Sequence, residues 1–374
     1  MKKRGSYRAR VSIFLPFFFA AVFAVPALRD GDMRLWILTA AVPGIMLILL
    51  LIPSRFFFLD RSSLSAAIAL WGFGIMAYAM VSTDASVSQA LRCAGSIFFV
   101  FCGAVLLRSF RVSLLSSALT AVLALGMISL PIWLSDEISL AEAGVALLFI
   151  SFAAFLSLRM YLLSLGAIIL GLLFLLLQSD FGTALVWSIT SVLTFWACSG
   201  SGLWSCIALL SVGGLSGIYF GLFLVTPDVV TDPLLPKLSA LPLFAPDLTD
   251  TVIGEKSDSL FFLLGEQYGL ILPLCVFLLI CVLILRGASL SLNTRRSFHA
   301  TLALGIILLI GLRAILFLLS LTDLLFFQPG DLPFLSTSVP ILSADSLLLG
   351  LLSGIAARNE ADLDEDARLT LLAH

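Results

Sequence analysis

The stretch Phe298–Leu321 has the sequence FHATLALGIILLIGLRAILFLLSL, in which Arg313 is the one charged residue. The hydrocarbon core of a bilayer is about 30 Å thick, and a helix of about 20 apolar residues crosses it. This stretch is therefore predicted to be a transmembrane helix. The whole chain shares its character, because 60% of the 374 residues are hydrophobic and 12% are charged. Soluble domains have about 25% charged residues, so a water-soluble globular enzyme is excluded.

Twelve apolar segments of this kind follow one another along the chain, and each is predicted to cross the membrane. They lie at residues 11–28, 35–53, 64–82, 90–107, 112–134, 139–158, 161–177, 181–199, 203–225, 260–285, 298–321 and 339–357. The expected fold class is an all-α integral membrane protein, a polytopic bundle of about 10–12 transmembrane helices. Runs of Leu and Phe without alternation exclude an outer-membrane barrel. A net charge of −2 excludes the basic surface that nucleic-acid binding needs.

The distribution of Lys and Arg predicts the orientation of these spans. With the N-terminus in the cytoplasm, 15 of the 21 basic residues fall on the inner side, and Arg29, Arg34, Lys237 and Lys256 fall on the outer side. This asymmetry follows the positive-inside rule, so both termini are expected to be cytoplasmic. The first span resembles a signal peptide, but the eleven spans after it favour a retained helix.

One predicted loop is long, residues 226–259, and the orientation puts it outside the cell. It contains five prolines, which exclude a long helix through its first two-thirds, and acidic residues outnumber its two lysines. A long loop of this kind is either a functional element or a solvated connector. The acidic tail at residues 358–374 is predicted to be a solvated cytoplasmic end.

Ionisable residues within the spans are costly, at about 2.5–3.5 kcal/mol each, and so require an explanation. Arg313 is the deepest cation, and we expect it to pair with Glu142, Glu266 or Asp345. The pair would either fix helix register or face a substrate. Small residues also recur in the ninth span, where Gly213, Gly217 and Gly221 predict close helix packing, with a binding groove as the alternative.

Several ordered motifs resemble those of one family. They are Gln178–Ala184 (QSDFGTA, similar to QPDxGTA), Ser257–Ile271 (SDSLFFLLGEQYGLI, similar to TDFIFAVIGEExGFIG), Leu332–Ser336 (LPFLS, similar to LPFxS), Leu349–Leu352 (GLLL-like) and, faintly, Ser139–Glu142 (similar to QPSE). Together they resemble the SEDS family, the FtsW/RodA/SpoVE proteins of bacterial cell division, elongation and sporulation. The resemblance covers residues 139–357. It implies a SEDS-type bundle at residues 61–357, with residues 1–60 as an additional N-terminal hairpin.

The resemblance implies a glycosyltransferase that polymerises peptidoglycan from lipid II at the outer face of the cytoplasmic membrane, with a class B penicillin-binding protein as partner. The family's catalytic aspartate falls on Asp258, and an outer carboxylate is a suitable general base for a sugar hydroxyl. Expected substrate-binding residues are Lys256, Glu266, Arg313, Asp180 and Ser336. The leaving pyrophosphate needs cations, and we expect Lys256 or a divalent metal ion held by the acidic loop to supply that charge.

The chain also departs from the family pattern. The segment Ile253–Asp258 replaces a PExHTD lead-in, and Ser336–Pro340 (STSVP) lacks the glycines of SYGGSS. Arg313 and Phe317 align with a family glutamine and asparagine. Two alternatives therefore accompany the polymerase interpretation. One is a non-catalytic SEDS homologue that acts as a membrane scaffold or regulator, and the other is a transporter of lipid-linked precursor.

Overall fold

The protein is described here by a computed structural model, which covers the backbone of residues 3–56, 60–79, 82–133, 140–223, 260–321 and 330–372. Thirteen helices and no strand lie in these ranges. They are α1 (Lys3–Asp30), α2 (Met33–Phe56), α3 (Arg61–Ala79), α4 (Thr83–Ser109), α5 (Leu114–Trp133), α6 (Ala141–Ser157), α7 (Tyr161–Leu177), α8 (Phe181–Ser199), α9 (Gly202–Phe223), α10 (Leu260–Tyr268), α11 (Ile271–Asn293), α12 (Ser297–Ser320) and α13 (Val339–Leu372).

The described helices match the predicted spans. Nine of them are long and apolar enough to cross a membrane, and three shorter apolar stretches, Phe14–Val25, Ala141–Ser157 and Tyr161–Leu177, accompany them in the described part of the chain. Each coincides with one of the twelve segments chosen from the sequence. The prediction of an all-α, multi-pass membrane protein is confirmed.

The tenth predicted segment, residues 260–285, differs from the prediction of one continuous helix. It is two helices, because α10 ends at Tyr268 and α11 begins at Ile271. Gly269 lies between them with φ +81°, a left-handed conformation that side chains with a Cβ adopt only at a cost. The nine residues of α10 extend about 13 Å, which is too short to cross a bilayer. The break comes three residues after Glu266.

The described chain forms two compact units. The first consists of the described residues within Met1–Val105, Lys237–Arg286 and Pro333–His374, and the second of those within Leu106–Pro236 and Gly287–Leu332. In the first unit α1 and α2 pack on each other and on α3. Phe19 is fully buried, and its ring lies where a Cβ on Gly72 would clash. The absence of a side chain at Gly72 therefore lets α1 lie close against α3.

Close backbone approach in the first unit occurs between α4 and α13. A Cβ on Gly103 would meet the carbonyl oxygen of Leu347, and one on Gly350 would meet the carbonyl oxygen of Val100. The two helices can therefore pack this closely only with glycine at both positions.

The glycines of the ninth span behave differently from the prediction. Among the described residues, nothing lies within 4 Å of a Cβ built on Gly213, Gly217 or Gly221. The expected close packing at this stripe is thus absent from the described part of the chain. The spacing of small residues made a contact sterically possible, but only a facing helix would create it.

The core of the second unit is aromatic. Phe149, Phe152, Trp187 and Phe195 are buried, and Phe149 meets Trp187 edge-to-face with centroids 6.1 Å apart. The indole N–H of Trp187 donates to the carbonyl oxygen of Ile168 at 3.2 Å, which satisfies its one polar atom. These contacts connect α6, α7 and α8.

An ion pair connects the start of α3 to α11 in the first unit. Arg286 donates through Nε and Nη2 to the two oxygens of Asp60 at 3.2 and 3.1 Å. The Ser62 and Ser63 hydroxyls donate to the same carboxylate at 2.8 and 2.7 Å. Burial acts to raise the pKa of Asp60, but the hydrogen bonds from Arg286 and the serines outweigh it and hold that pKa below its usual value.

Candidate functional site

The predicted catalytic residue Asp258 and the neighbouring Lys256 lie outside the described residues. The described chain resumes two residues later at Leu260, which is buried in the first unit. A Leu260 methyl group lies 3.7 Å from the position of a Cβ on Gly74, and the Tyr268 hydroxyl donates to the carbonyl oxygen of Met76 at 3.3 Å. Helix α10 is therefore fixed against α3 at both of its ends.

Glu266 lies in the last turn of α10 with its side chain exposed. The next residue, Gln267, has a buried Oε1 with no hydrogen-bond partner among the described residues. Buried amide oxygens normally accept a hydrogen bond, so Oε1 of Gln267 is an acceptor that no described donor uses. The sequence predicted Glu266 as a substrate-binding residue, and its exposure is compatible with that role.

The family-like LPFLS stretch forms a buried loop that leads into α13. Phe334 has φ +64°, a conformation that is strained for a residue with a side chain. The backbone N–H of Phe334 donates to Oδ2 of Asp345 at 2.8 Å, and Asp345 is fully buried. Asp345 thus holds the loop from within α13, so its buried charge has a structural function.

Two side chains of α4 hold the other side of this loop. Gln89 donates through Nε2 to the carbonyl oxygen of Ser336 at 2.9 Å, and Arg92 donates through Nη1 to that of Thr337 at 2.8 Å. Ser336 is fully buried, and its hydroxyl accepts from the N–H of Ser338 at 3.0 Å. The predicted substrate-binding residue Ser336 therefore uses both of its oxygens in the structure of the loop.

Gln89 and Arg92 were not among the site residues predicted from the sequence. The available signal was their spacing of three residues, which puts two polar side chains on one face of a membrane span. Their partners are backbone carbonyls about 245 positions away in the chain. A pattern within one helix does not show which distant carbonyls will face it.

In the second unit, Arg313 of α12 pairs with Glu142 of α6. Its Nη2 donates to Oε2 of Glu142 at 2.7 Å, and the two side chains are 11% and 17% exposed. Of the three carboxylates that the sequence offered as partners, the structure therefore pairs Arg313 with Glu142. The pair neutralises a charge that would otherwise be costly within the membrane.

Asp180 is the N-cap of α8. Its carboxylate accepts a hydrogen bond from the N–H of Thr183 at 3.1 Å, which satisfies one of the free donors of the first turn. Just before it, Gln178 donates to the carbonyl oxygen of Ile128 in α5. The family-like QSDFGTA stretch therefore joins α7 to α8 and contacts α5.

An apolar cavity of about 400 Å³ lies between α7, α8 and α9 in the second unit. Its lining includes Phe181, immediately after Asp180, and is almost entirely hydrophobic. The lining residues are Leu172, Leu176, Phe181, Ala184, Leu185, Ser188, Ile189, Val192, Leu193, Leu209, Val212, Ser216 and Phe220. Neither Glu266 nor Arg313 belongs to this lining. The cavity has the chemical character of a site for a hydrocarbon chain.

Within the described ranges, no group of three or more His, Cys, Asp or Glu side chains is arranged to hold a metal ion. The acidic loop at residues 226–259, where the sequence suggested a divalent metal ion, lies wholly outside those ranges. The metal hypothesis stays a prediction about that loop.

Comparison with known proteins gives a match at the level of fold. No family model and no curated protein matches the chain. Among solved structures, a chain from work on "structural coordination of polymerization and crosslinking by a peptidoglycan synthase complex" is similar, with a TM-score of 0.59 and 17% sequence identity. The match covers 80% of this chain and 98% of the other. The protein therefore shares the fold of that chain.

Proposed function

We propose that this protein is a SEDS-type peptidoglycan glycosyltransferase that polymerises lipid II at the outer face of the bacterial cytoplasmic membrane, in cell division, elongation or sporulation. The observation that carries the proposal is the fold similarity to a chain of a peptidoglycan synthase complex. The order of the SEDS-like motifs along the sequence supports it independently. In this proposal both termini are cytoplasmic, and a class B penicillin-binding protein crosslinks the product.

In the proposed reaction, Asp258 is the general base. It accepts the proton of the acceptor sugar hydroxyl while that oxygen forms a bond to the anomeric carbon of the donor. The bond between the anomeric carbon and the diphosphate breaks, and the polyprenyl diphosphate leaves with the electron pair. General-base catalysis of this kind contributes about 10²–10⁴-fold to a rate. Helix α10, which begins two residues after Asp258, is held against α3 at Leu260 and Tyr268.

We assign the other predicted residues to charge balance, substrate contact or support of the protein structure. Lys256 or a divalent metal ion in the acidic loop balances the charge of the diphosphate, and exposed Glu266 contacts the substrate. Asp180 immediately precedes Phe181, which lines the apolar cavity, and in this proposal the cavity holds part of a polyprenyl chain. Ser336 holds the loop before α13 in the first unit, and Arg313 pairs with Glu142 in the second unit.

The test is polymerisation of purified lipid II by the detergent-solubilised protein with its partner penicillin-binding protein. We expect Asp258→Asn to lower the rate by at least about 100-fold, since the base is lost. Asp84→Asn, which removes an exposed carboxylate outside the proposed site, is the matched control and should retain the activity. Unchanged polymerisation by Asp258→Asn would contradict the proposal.

A second candidate, a non-catalytic SEDS homologue that acts as a scaffold or regulator of cell-wall synthesis, is favoured by one observation. The loop before α13 lacks the glycines of the family motif, and its Ser336 is fully buried. A scaffold would bind the penicillin-binding protein and show no polymerisation by the wild-type chain under the same conditions. The wild-type measurement thus separates the two candidates.

A further inference from the structure

Arg92 is a half-buried cation inside a membrane span that no predicted role explains. It lies nine residues after the start of α4 at Thr83, which corresponds to about 13 Å along the helix. Its guanidinium donates one hydrogen bond, to the carbonyl oxygen of Thr337 at 2.8 Å. Among the described residues, no carboxylate forms an ion pair with it.

Two other guanidinium groups in the described helices have carboxylate partners. Arg313 pairs with Glu142 at 2.7 Å, and Arg286 pairs with Asp60 at 3.1 Å. A charge at membrane depth costs about 2.5–3.5 kcal/mol, and such groups normally pair or mark a functional site. A carbonyl oxygen uses one of the five guanidinium N–H groups and leaves the positive charge uncompensated. Arg92 is therefore suited to bind an anion.

The start of α13 adds to the positive potential beside Arg92. Thr337, the partner of Arg92, comes two residues before Val339, where α13 begins, and Leu342 donates to the carbonyl oxygen of Ser338 as the first turn of that helix. The N-terminus of a long helix carries a partial positive charge and favours anions. Asp345, six residues after the start of α13, is fully buried and accepts a hydrogen bond from the N–H of Phe334.

We propose that Arg92, at the N-terminal end of α13, binds the diphosphate of a polyprenyl-linked donor. The identity of the donor rests on the proposed function, whereas diphosphate binding can be measured without it. As the anomeric carbon–oxygen bond breaks, the electron pair moves to the diphosphate oxygen, and the guanidinium N–H groups stabilise this added negative charge. The guanidinium fork matches phosphate oxygens in two hydrogen bonds, which a lysine cannot reproduce.

The test measures binding of a polyprenyl diphosphate to the purified full-length protein, with the polyprenyl alcohol of the same chain length as the uncharged comparison. We expect wild type to bind the diphosphate more tightly than the alcohol. Arg92→Gln should weaken diphosphate binding by about 10-fold or more, because a charge-assisted hydrogen bond is worth about 1.5–3 kcal/mol. Its affinity for the alcohol should stay unchanged.

The matched control is Arg34→Gln, which removes an exposed outer-side guanidinium that is already paired with Asp84. It should bind the diphosphate as wild type does. Gln89 still holds the loop when Arg92 is replaced, so Arg92→Gln should fold. If it does not fold, Arg92→Lys provides the comparison, and we expect it to bind the diphosphate several-fold more weakly than wild type.

Equal diphosphate affinity for wild type and a folded Arg92 variant would overturn the inference, as would an equal loss in Arg34→Gln. The proposed function fails by a different result, namely polymerisation by Asp258→Asn. The first failure is read from a binding affinity and the second from a polymerisation rate, so the two failures are distinguishable.

Discussion

At the scale of single residues, the ion pairs of this protein differ most in their exposure to solvent. Arg34 and Asp84 meet at 2.6 Å with side chains that are 65% and 82% exposed, whereas Arg313 and Glu142 are 11% and 17% exposed. Exposed pairs contribute little to stability because water already solvates both charges. Removing one member of a buried pair leaves an uncompensated charge. Replacing one member of the buried pair should therefore lower the stability of the protein, whereas replacing both members should lower it much less.

We predict that Arg313→Met lowers the free energy of unfolding by about 3 kcal/mol, at the lower end for a buried pair because some exposure remains. The protein is destabilised because the substitution leaves the buried carboxylate of Glu142 without its positively charged partner. The double variant Arg313→Met with Glu142→Gln should recover most of this loss. Thermal unfolding of the detergent-solubilised protein measures the effect.

The control for this prediction is Arg34→Met, which should change the unfolding midpoint little. Additive losses in the double variant would contradict a coupled buried pair.

A second residue-scale prediction concerns the pH dependence contributed by Asp60. Because its folded-state pKa lies below the ordinary value of 3.8, its contribution to stability is present above that pH and is lost as the pH falls through the folded-state pKa. Asp60→Asn should therefore unfold at a lower temperature than wild type at pH 7. The difference should narrow only below about pH 4.

Unfolding midpoints between pH 3 and pH 7 test this expectation. Asp84→Asn, whose carboxylate is exposed, is the matched control and should follow wild type throughout. A difference between wild type and Asp60→Asn that vanishes already at pH 6 would rule out Asp60 as its source.

At the scale of helices, α4 and α13 are the pair whose packing depends most on glycine. Cβ atoms at Gly103 and Gly350 would each meet backbone carbonyl oxygens of the other helix, which no side-chain rotation can relieve. The same two helices hold the loop before α13 through Gln89, Arg92 and Asp345. Their spacing therefore fixes the geometry of the candidate site.

We predict that Gly350→Ala destabilises the protein by about 1–3 kcal/mol, the usual cost of overpacking. The measurement is again the thermal unfolding midpoint. Gly217→Ala is the matched control in a transmembrane helix, because nothing lies within 4 Å of its Cβ in the described part of the chain. That variant should be neutral or slightly stabilised, since Ala is a better helix former than Gly. Equal effects of both substitutions would argue against close α4–α13 packing.

At the scale of the whole molecule, the chain crosses the membrane many times, and its charges predict the direction of each crossing. Of 21 basic residues, 15 fall on the side that the positive-inside rule assigns to the cytoplasm. The proposed chemistry depends on this orientation, because Asp258 must face the compartment where glycan strands grow.

We predict that single cysteines introduced at Asp84 and Asp258 react with a membrane-impermeant maleimide added to intact cells. A cysteine introduced at Ala361, in the part of α13 that is predicted to be cytoplasmic, should react only after the membrane is permeabilised. Cells that carry the chain without its native cysteines supply the background. Labelling of Ala361→Cys in intact cells, or protection of Asp258→Cys, would contradict the orientation.

Much of the fold followed from local sequence. Each of the twelve predicted segments corresponds to a described helix or helix pair, because a bilayer selects for apolar length, which is a property of one segment at a time. The break at Gly269 escaped the prediction, since a single glycine in an apolar run is compatible with either a straight or an interrupted helix.

The sequence by itself determined that this is a multi-pass helical membrane protein and supplied the ionisable residues within its spans. Only the tertiary structure decided which of them meet: that Arg313 contacts Glu142, that Asp345 binds a backbone N–H, and that Gln89 and Arg92 hold the loop before α13. Hydrophobic length acts within one helix, so it is visible in the sequence. A hydrogen bond between helices depends on how they turn and pack, which is set by side chains far apart in the chain.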